Sequence, residues 1–424
     1  MRLQRTPITW AIYGVNGAWA AFIYLTGPVS PILSEDLGMS LAAAGLIGTA
    51  LALGIITASV AAPRVVRTLG RDRATKAGLV VVAAGLTGMV LVPLVASGAV
   101  AFGLILGLVW VSASGGGTML NASMARLSDA HPIHSARVIT EANAAAAWVG
   151  LFSPLILGAA LGAGLGWEVG ILACLVLAVA ALVGLVVADW ATARAGRGGS
   201  LAPEDPGGDS HELAVQPALE PVTAPRASKA PAPAPLPRVF WLAMIALFAA
   251  VATEFAINYW GSTLIQDQTG APAASATAAM AAVVAGVAIG RTIGSALTLR
   301  LGPHRMLLGG FGLALVGFGV LWTAEALPVS VAGLFIAGLG IATLFPLLLD
   351  RGIVLSAGHP DQAMARSSLV LGLAVGSAPF ALGALGSVMP VRMALLLVPV
   401  VGVVGLFGVV ASRPHAPERP SAGA

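Results

Sequence analysis

The sequence predicts an all-α polytopic membrane protein whose twelve transmembrane helices form two six-helix bundles. Three observations predict it. The 424 residues are 58% hydrophobic and 9% charged, with a mean hydropathy of +0.92, whereas about a quarter of the residues in soluble domains are charged. The apolar residues fall into segments of roughly 20, long enough to cross a hydrocarbon core, separated by polar loops. Arg and Lys gather in alternate loops, as they do on the cytoplasmic face of a membrane. The opposite loops hold Arg392 alone among basic residues, with Glu35, Asp36, Glu168, Asp267 and Glu325. Both termini fall on the basic side, so the expectation is a multi-pass protein of the cytoplasmic (inner) membrane with both termini cytoplasmic.

The first span is expected near 8–28, after Arg2 and Arg5. Ala18-Trp19-Ala20 has the small-x-small form of a signal-peptide cleavage site, but the apolar run continues to Pro28 and is interrupted by Asn16 and Trp19, so the span is read as uncleaved. Spans two and three, near 41–62 and 77–96, flank a basic loop. The fourth, near 98–119, places Gly107, Trp110, Ser114, Gly117 and Asn121 at spacings of three and four, hence on one face. That face is predicted to line a cavity, and Gly115-Gly116-Gly117 to loosen the helix end. Spans five and six lie near 138–161 and 167–188, and the sixth holds Cys174, the only cysteine, so no intrachain disulfide is possible. Hydropathy then collapses. Residues 197–237, rich in Pro, Ala and Gly, cannot bury enough apolar surface to order themselves, which predicts a flexible cytoplasmic linker over 191–238 between bundles at 1–190 and 239–424. Six more spans follow, near 240–261, 275–298, 306–324, 328–349, 367–388 and 391–411, and then a short cytoplasmic tail.

The halves read as copies. Leu69-Gly70-Arg71-Asp72-Arg73 after span two matches Leu301-Gly302-Pro303-His304-Arg305 after span eight, an offset of 232 residues. Pro154-Leu155-Ile156-Leu157-Gly158-Ala159 in span five matches Pro379-Phe380-Ala381-Leu382-Gly383-Ala384 in span eleven, an offset of 225. Span n therefore pairs with span n+6, the pattern of a parallel repeat about an axis along the membrane normal.

On these features the chain, apart from its linker, resembles the major facilitator superfamily. Gly70, Arg71 and Arg73 match the end of that family's Gly-x-x-x-Asp-Arg-x-Gly-Arg-Lys-Arg loop, while its Asp position is held by Arg67 here and by Leu299 in the second half. Gly150-x-x-x-Pro154-x-x-x-Gly158 is similar to the family's antiporter motif, with Ser153 in place of Gly. Glu254-Phe255-Ala256-Ile257-Asn258-Tyr259-Trp260-Gly261 resembles the fucose-permease-like branch. The resemblance implies a secondary transporter working by alternating access on a small organic solute, sugar-like given the neutral polar groups and tryptophans, with the proton as coupling ion. A drug or metabolite efflux antiporter is the alternative within the fold. A membrane receptor or enzyme is the alternative outside it.

All six histidines fall outside the spans, the pair His131 and His134 clusters with no Cys and no carboxylate beyond Asp129, and neither lysine sits in a phosphate-cradling loop. No metal, cofactor, catalytic group or nucleic-acid partner is expected. The basic loops suit topology and anionic lipid, and the working unit is expected to be a monomer. Polar groups inside spans are costly and so mark function. Asn16, Trp19, Trp110, Ser114, Asn143, Trp148 and Asn258 are the substrate candidates, Asn143 being equally suited to an interhelical hydrogen bond. Glu254 is the candidate for proton coupling, with a structural role as its rival. Arg71, Arg73, Glu141 and Arg291 are read as gating or structural charges, Glu141 in a first helical turn that favours a carboxylate. Trp241 and Trp260 are read as membrane-interface anchors.

The charge asymmetry sets an orientation. In a Cys174→Ser background, a cysteine at Asp267 or Glu325 should react with an impermeant thiol reagent applied outside cells, and one at Thr68 should not. The opposite labelling pattern would invert the topology.

Overall fold

A computed structural model describes residues 5–198 and 235–413. Among the described residues, eleven helices are long and apolar enough to cross a membrane. One of them, Leu41–Val95, breaks at Gly70, whose φ of 79° and ψ of 161° suit only glycine. It is therefore two spans, 41–69 and 71–95, and the total is twelve. Gly302 makes the same turn, with φ 80° and ψ 153°, between span eight (Ala273–Ala279, then Ala281–Leu301) and span nine (Pro303–Trp322). The repeat read from the sequence is thus a repeat of backbone conformation as well.

The other spans are the first, Pro7–Asp36; the fourth, Gly98–Ala130; and the fifth, Ser135–Gly150 with Phe152–Gly162. The sixth is Glu168–Gly198, the seventh Arg238–Thr269, and the tenth Leu327–Ile341 with Leu344–Val354. The eleventh is Pro360–Gly386 and the twelfth Val391–Ala394 with Leu397–Ala411. The break in the fifth span falls one turn before Pro154, which has no N–H to offer the Gly150 carbonyl. Most helices overrun their predicted spans, because hydrogen bonding continues beyond the apolar stretch. The sixth runs to Gly198, into the region expected as linker, whose residues 199–234 lie outside the described residues.

Gly115-Gly116-Gly117 does not loosen the fourth helix, which continues unbroken to Ala130. Each glycine instead admits a neighbour. A Cβ on Gly115 would meet Val81, one on Gly117 would meet Ala58, and one on Gly116 would enter the Trp19 ring. Gly286, Gly290 and Gly294 form a similar seam against Phe335, Ala342 and Thr343 of the tenth span.

The two bundles meet most closely toward the acidic-loop end, through matching pairs of spans. A Cβ on Gly158 of span five would lie 2.7 Å from the Ala274 carbonyl of span eight, and one on Gly383 of span eleven 2.5 Å from the Leu41 carbonyl of span two. Gly45 of span two faces Phe380 Cα at 2.6 Å in the same way. The Ala42 amide donates to Ser387 Oγ at 3.2 Å, and Thr49 Oγ1 donates to the Gly376 carbonyl at 3.0 Å. Small residues are what lets helices approach this closely in lipid. Among the described residues no ion pair joins the bundles; every salt bridge lies within the first.

At the basic end of the first bundle, Asp72, Lys76, Arg126 and Asp189 close a four-membered ring of charges. Its N–O distances are 3.0 Å for Lys76–Asp72, 2.7 Å for Arg126–Asp72, and 2.5 Å from Asp189 to each cation. Two cations against two carboxylates leave the ring neutral, and it ties spans three, four and six together.

A side chain at Gly45 cannot fit while spans two and eleven touch. Overpacking of this kind costs about 1–3 kcal/mol, and about 1.4 kcal/mol already shifts a two-state equilibrium about tenfold. Gly45→Val should therefore part the bundles at the acidic end. A reporter cysteine at Ala52, buried beneath this contact, should then react at least about tenfold faster from that side. Unchanged reactivity would show that the contact does not seal the cavity.

Candidate functional site

Between the bundles lies a cavity of about 370 Å³, lined by spans one, two, four and five of the first half and by seven, eight, ten and eleven of the second. These are the same four positions in each copy. The first half contributes Asn16, Asn121 and Asn143, with Trp19 and the Tyr24 hydroxyl; the second contributes Glu254, Arg291, Phe255 and Phe345. Ser59 of the first half and Ser368 of the second also line it. A larger hollow of about 650 Å³ lies at the acidic end, lined by residues such as Glu35 and Asp267, outside the glycine contacts that close the bundles. The central cavity is the candidate site, because it gathers ionisable groups at the depth of the spans, between the bundles.

Local packing sets each group. The Trp19 ring lies over Gly116 and stands 5.9 Å from Phe22 between centroids. Asn16 is buried; its Nδ2 donates to the Ile12 carbonyl at 3.1 Å, and its Oδ1 has no protein partner. Gly150 leaves room for the Tyr24 ring, which carries the phenol across to the second bundle, where it approaches the Glu254 carboxylate. Arg291 is the cation that acts on Glu254, yet the two make no direct ion pair. Among the described residues Arg291 donates no hydrogen bond.

Four of the expected substrate residues stand elsewhere. Trp110 is 45% exposed on the outside of the bundle, and its Nε1 donates to Thr57 Oγ1 at 3.1 Å, clasping span two. Ser114, on the same face, donates to the Trp110 carbonyl at 2.8 Å. That face does run along one side of span four, but its upper part is exposed, with Trp110 clasped to Thr57 of span two, and only Gly117 and Asn121 of it reach the cavity. Trp148 is 42% exposed. Five residues separate it from Asn143, roughly 140° around a helix of 3.6 residues per turn, so the two cannot face one cavity. Asn258 is buried against Gly27 of span one, at the contact between bundles, with its Oδ1 unpartnered.

The expected gating charges also divide. Glu141 sits two turns into its helix, not in the first, and binds Arg5 at 2.9 Å, the Tyr13 hydroxyl at 3.0 Å and Arg137 at 3.1 Å. Arg71 pairs with Asp129, while Arg73 is exposed and unpaired among the described residues. Glu141 and Arg71 thus brace the first bundle internally. Trp260, expected at the membrane interface, is instead 1% exposed and donates to the Pro379 carbonyl at 3.1 Å; Trp241 is half exposed. His131, which falls outside the spans, is buried and bonded to Thr9 Oγ1 at 2.8 Å.

Tyr24, Ser59, Ser368, Phe255 and Phe345 line the cavity without having been singled out. Tyr24 had a signal: it continues the every-fourth-residue series Asn16, Ala20, Tyr24. The two serines and Phe345 had none, since single hydroxyls and aromatics are common in apolar helices.

The model of the Major Facilitator Superfamily matches residues 14–351. By sequence, no curated protein matches the chain. By fold, the chain is similar to the crystal structure of a D-xylose-proton symporter, with TM-score 0.70 and 13% identity over 97% of this chain and 98% of that one. It is also similar to the xylose transporter XylE from E. coli in a partially occluded inward-open conformation, with TM-score 0.68 and 13% identity over 96% and 99% of the two chains. Identity this low speaks for the fold alone.

The geometry separates the tryptophans. Trp19→Ala should weaken solute binding about tenfold or more, since it removes a large ring from the cavity wall. Trp110→Ala and Trp148→Ala should change it by less than about twofold at unchanged protein level, as expected for surface positions. Equal losses in all three, measured by the concentration dependence of uptake, would place the binding site elsewhere.

Proposed function

The chain belongs to the major facilitator superfamily, and we propose that it carries a small, sugar-like organic solute across the cytoplasmic membrane by proton-coupled alternating access. The observation that carries this reading is the placement of Glu254. Among the described residues it is the single carboxylate on the wall of the central cavity, and it faces Tyr24 of the opposite bundle and Arg291 of its own. A carboxylate at this depth is costly when charged. Taking up a proton removes that cost, and the cavity supplies water to deliver one. The amides of Asn16, Asn121 and Asn143 and the ring of Trp19 suit a hydroxylated solute. The similar solved structures are xylose carriers, one of them titled a proton symporter, which gives the reading its precedent.

With the basic end cytoplasmic, the glycine contacts at the acidic end close the cavity from outside, so the arrangement is inward-facing. One chain supplies both walls of the cavity, which supports a monomer as the working unit. The efflux-antiporter alternative rested on the Gly150, Pro154 and Gly158 series. In the fold Gly150 makes room for Tyr24, Pro154 breaks the helix and Gly158 receives span eight, so the series is accounted for by packing. An embedded receptor or enzyme would leave solute where it met it, and purified protein in liposomes separates that case, because only a carrier moves solute across the bilayer.

Glu254→Gln mimics the protonated acid. It should abolish accumulation driven by an imposed pH gradient while preserving counterflow exchange of solute. Gradient-driven accumulation that survives in the Gln variant would remove Glu254 as the coupling site.

A further inference from the structure

Among the described residues three arginines are at most partly exposed, and the chain treats them differently. Arg126 is held by two carboxylates, at 2.7 and 2.5 Å. Arg351, only 5% exposed, pairs with no carboxylate among the described residues but is satisfied by the Val409 carbonyl at 2.9 Å, Ser412 Oγ at 3.4 Å and His304 Nδ1 at 3.2 Å. Arg291 has neither kind of partner among the described residues. Its guanidinium lines the cavity, and the one carboxylate near it, Glu254, stays out of direct contact. An unpaired cation at this depth is expensive, and a chain that satisfies its other two arginines fully has left this one open to the cavity.

We infer that Arg291 is the docking point for a carboxylate on the transported solute, so that the substrate class is a small hydroxylated carboxylic acid, a sugar acid rather than a neutral sugar. The inference rests on the carrier reading above and deepens it. The planar guanidinium presents two parallel N–H groups that match a carboxylate. Across the cavity, Asn16, Asn121 and Asn143 offer amides for hydroxyl groups, and Trp19 offers an apolar face. A volume of about 370 Å³ is near the lower end of ligand pockets and suits a molecule of hexose size.

The same geometry ties the solute to the proton. Among the residues lining the cavity, Arg291 and Glu254 are the charged groups and Tyr24 the other titratable one. One cation and one carboxylate leave the empty cavity neutral. An anion seated on Arg291 adds a negative charge, and a proton on Glu254 restores neutrality. Solute and proton therefore enter together, and the loaded cavity crosses with no net added charge.

The test uses purified full-length protein and matched probes: D-glucuronate against D-glucose, D-galacturonate against D-galactose, and D-xylonate against D-xylose. At least one acid should raise the melting temperature of the wild type while its neutral twin does not. Arg291→Gln should weaken that binding about tenfold or more, as loss of a charge-assisted pair does, and Arg291→Lys should recover part of it. The melting temperatures of the unliganded variants show that they fold. In weakly buffered solution, binding of the acid should take up a proton in the wild type and none in Glu254→Gln. The inference is overturned if no acid of the panel binds, or if a neutral sugar binds the wild type and Arg291→Gln equally. Proton-driven uptake of a neutral sugar by both would overturn it while leaving the carrier reading intact. Acid binding lost in Arg291→Gln, with no accumulation in wild-type liposomes, would keep the Arg291 assignment and remove the carrier reading.

Discussion

Helices standing in hydrocarbon gain nothing by hiding apolar side chains from one another, so this fold depends on how closely their backbones can approach. Glycine decides where that happens. Gly115, Gly116 and Gly117 bring the fourth span against the second and third and against Trp19; Gly286, Gly290 and Gly294 bring the eighth against the tenth. Gly45, Gly158 and Gly383 do the same between bundles. The positions that set the architecture are those with no side chain at all, and the chain's 53 glycines are in this sense its framework.

Electrostatics is arranged around that framework in two different ways. At the basic end, charges cancel inside the first bundle, through the Asp72–Lys76–Arg126–Asp189 ring, the Arg71–Asp129 pair and the contacts of Glu141. These bonds need not break when the bundles move, because none of them crosses between bundles. In the cavity the arrangement is reversed: Glu254 and Arg291 lie near each other without closing a bond, and Tyr24 reaches over from the other bundle. Charges locked within a body suit a rigid unit, and charges left open between bodies suit a site whose occupancy changes.

The span count, the halves and their repeat were legible in the sequence because hydropathy and loop charge act on every residue alike. Gly70 and Gly302 show how far this reaches, since a matched pair of letters 232 apart became a matched pair of left-handed turns. Within the site, Glu254 and Arg291 were conspicuous for the same reason, as charges in apolar helices, but Arg291 was read as a gating or structural charge, whereas it lines the cavity. The neutral residues were harder. Periodicity identified one face of span four, but a face has length, and only its lower part meets the cavity while Trp110, higher up, stays exposed beside span two. A sequence shows which residues share a stripe; it does not show where along that stripe a neighbouring helix crosses. Trp260 fails for a related reason, as its position near a span end suggested lipid headgroups when the neighbour was Pro379.

The closure at the acidic end has a kinetic consequence. Among the described residues it is made of van der Waals contact and two hydrogen bonds to the second span, with no ion pair across it. Dispersion falls away within an ångström of separation, whereas attraction between charges would persist over a Debye length. The bundles are thus either in contact or released, with little pull between them at intermediate distances. Such a gate acts as a latch: its opening rate responds to temperature and to lateral pressure from the lipid, and is nearly indifferent to ionic strength.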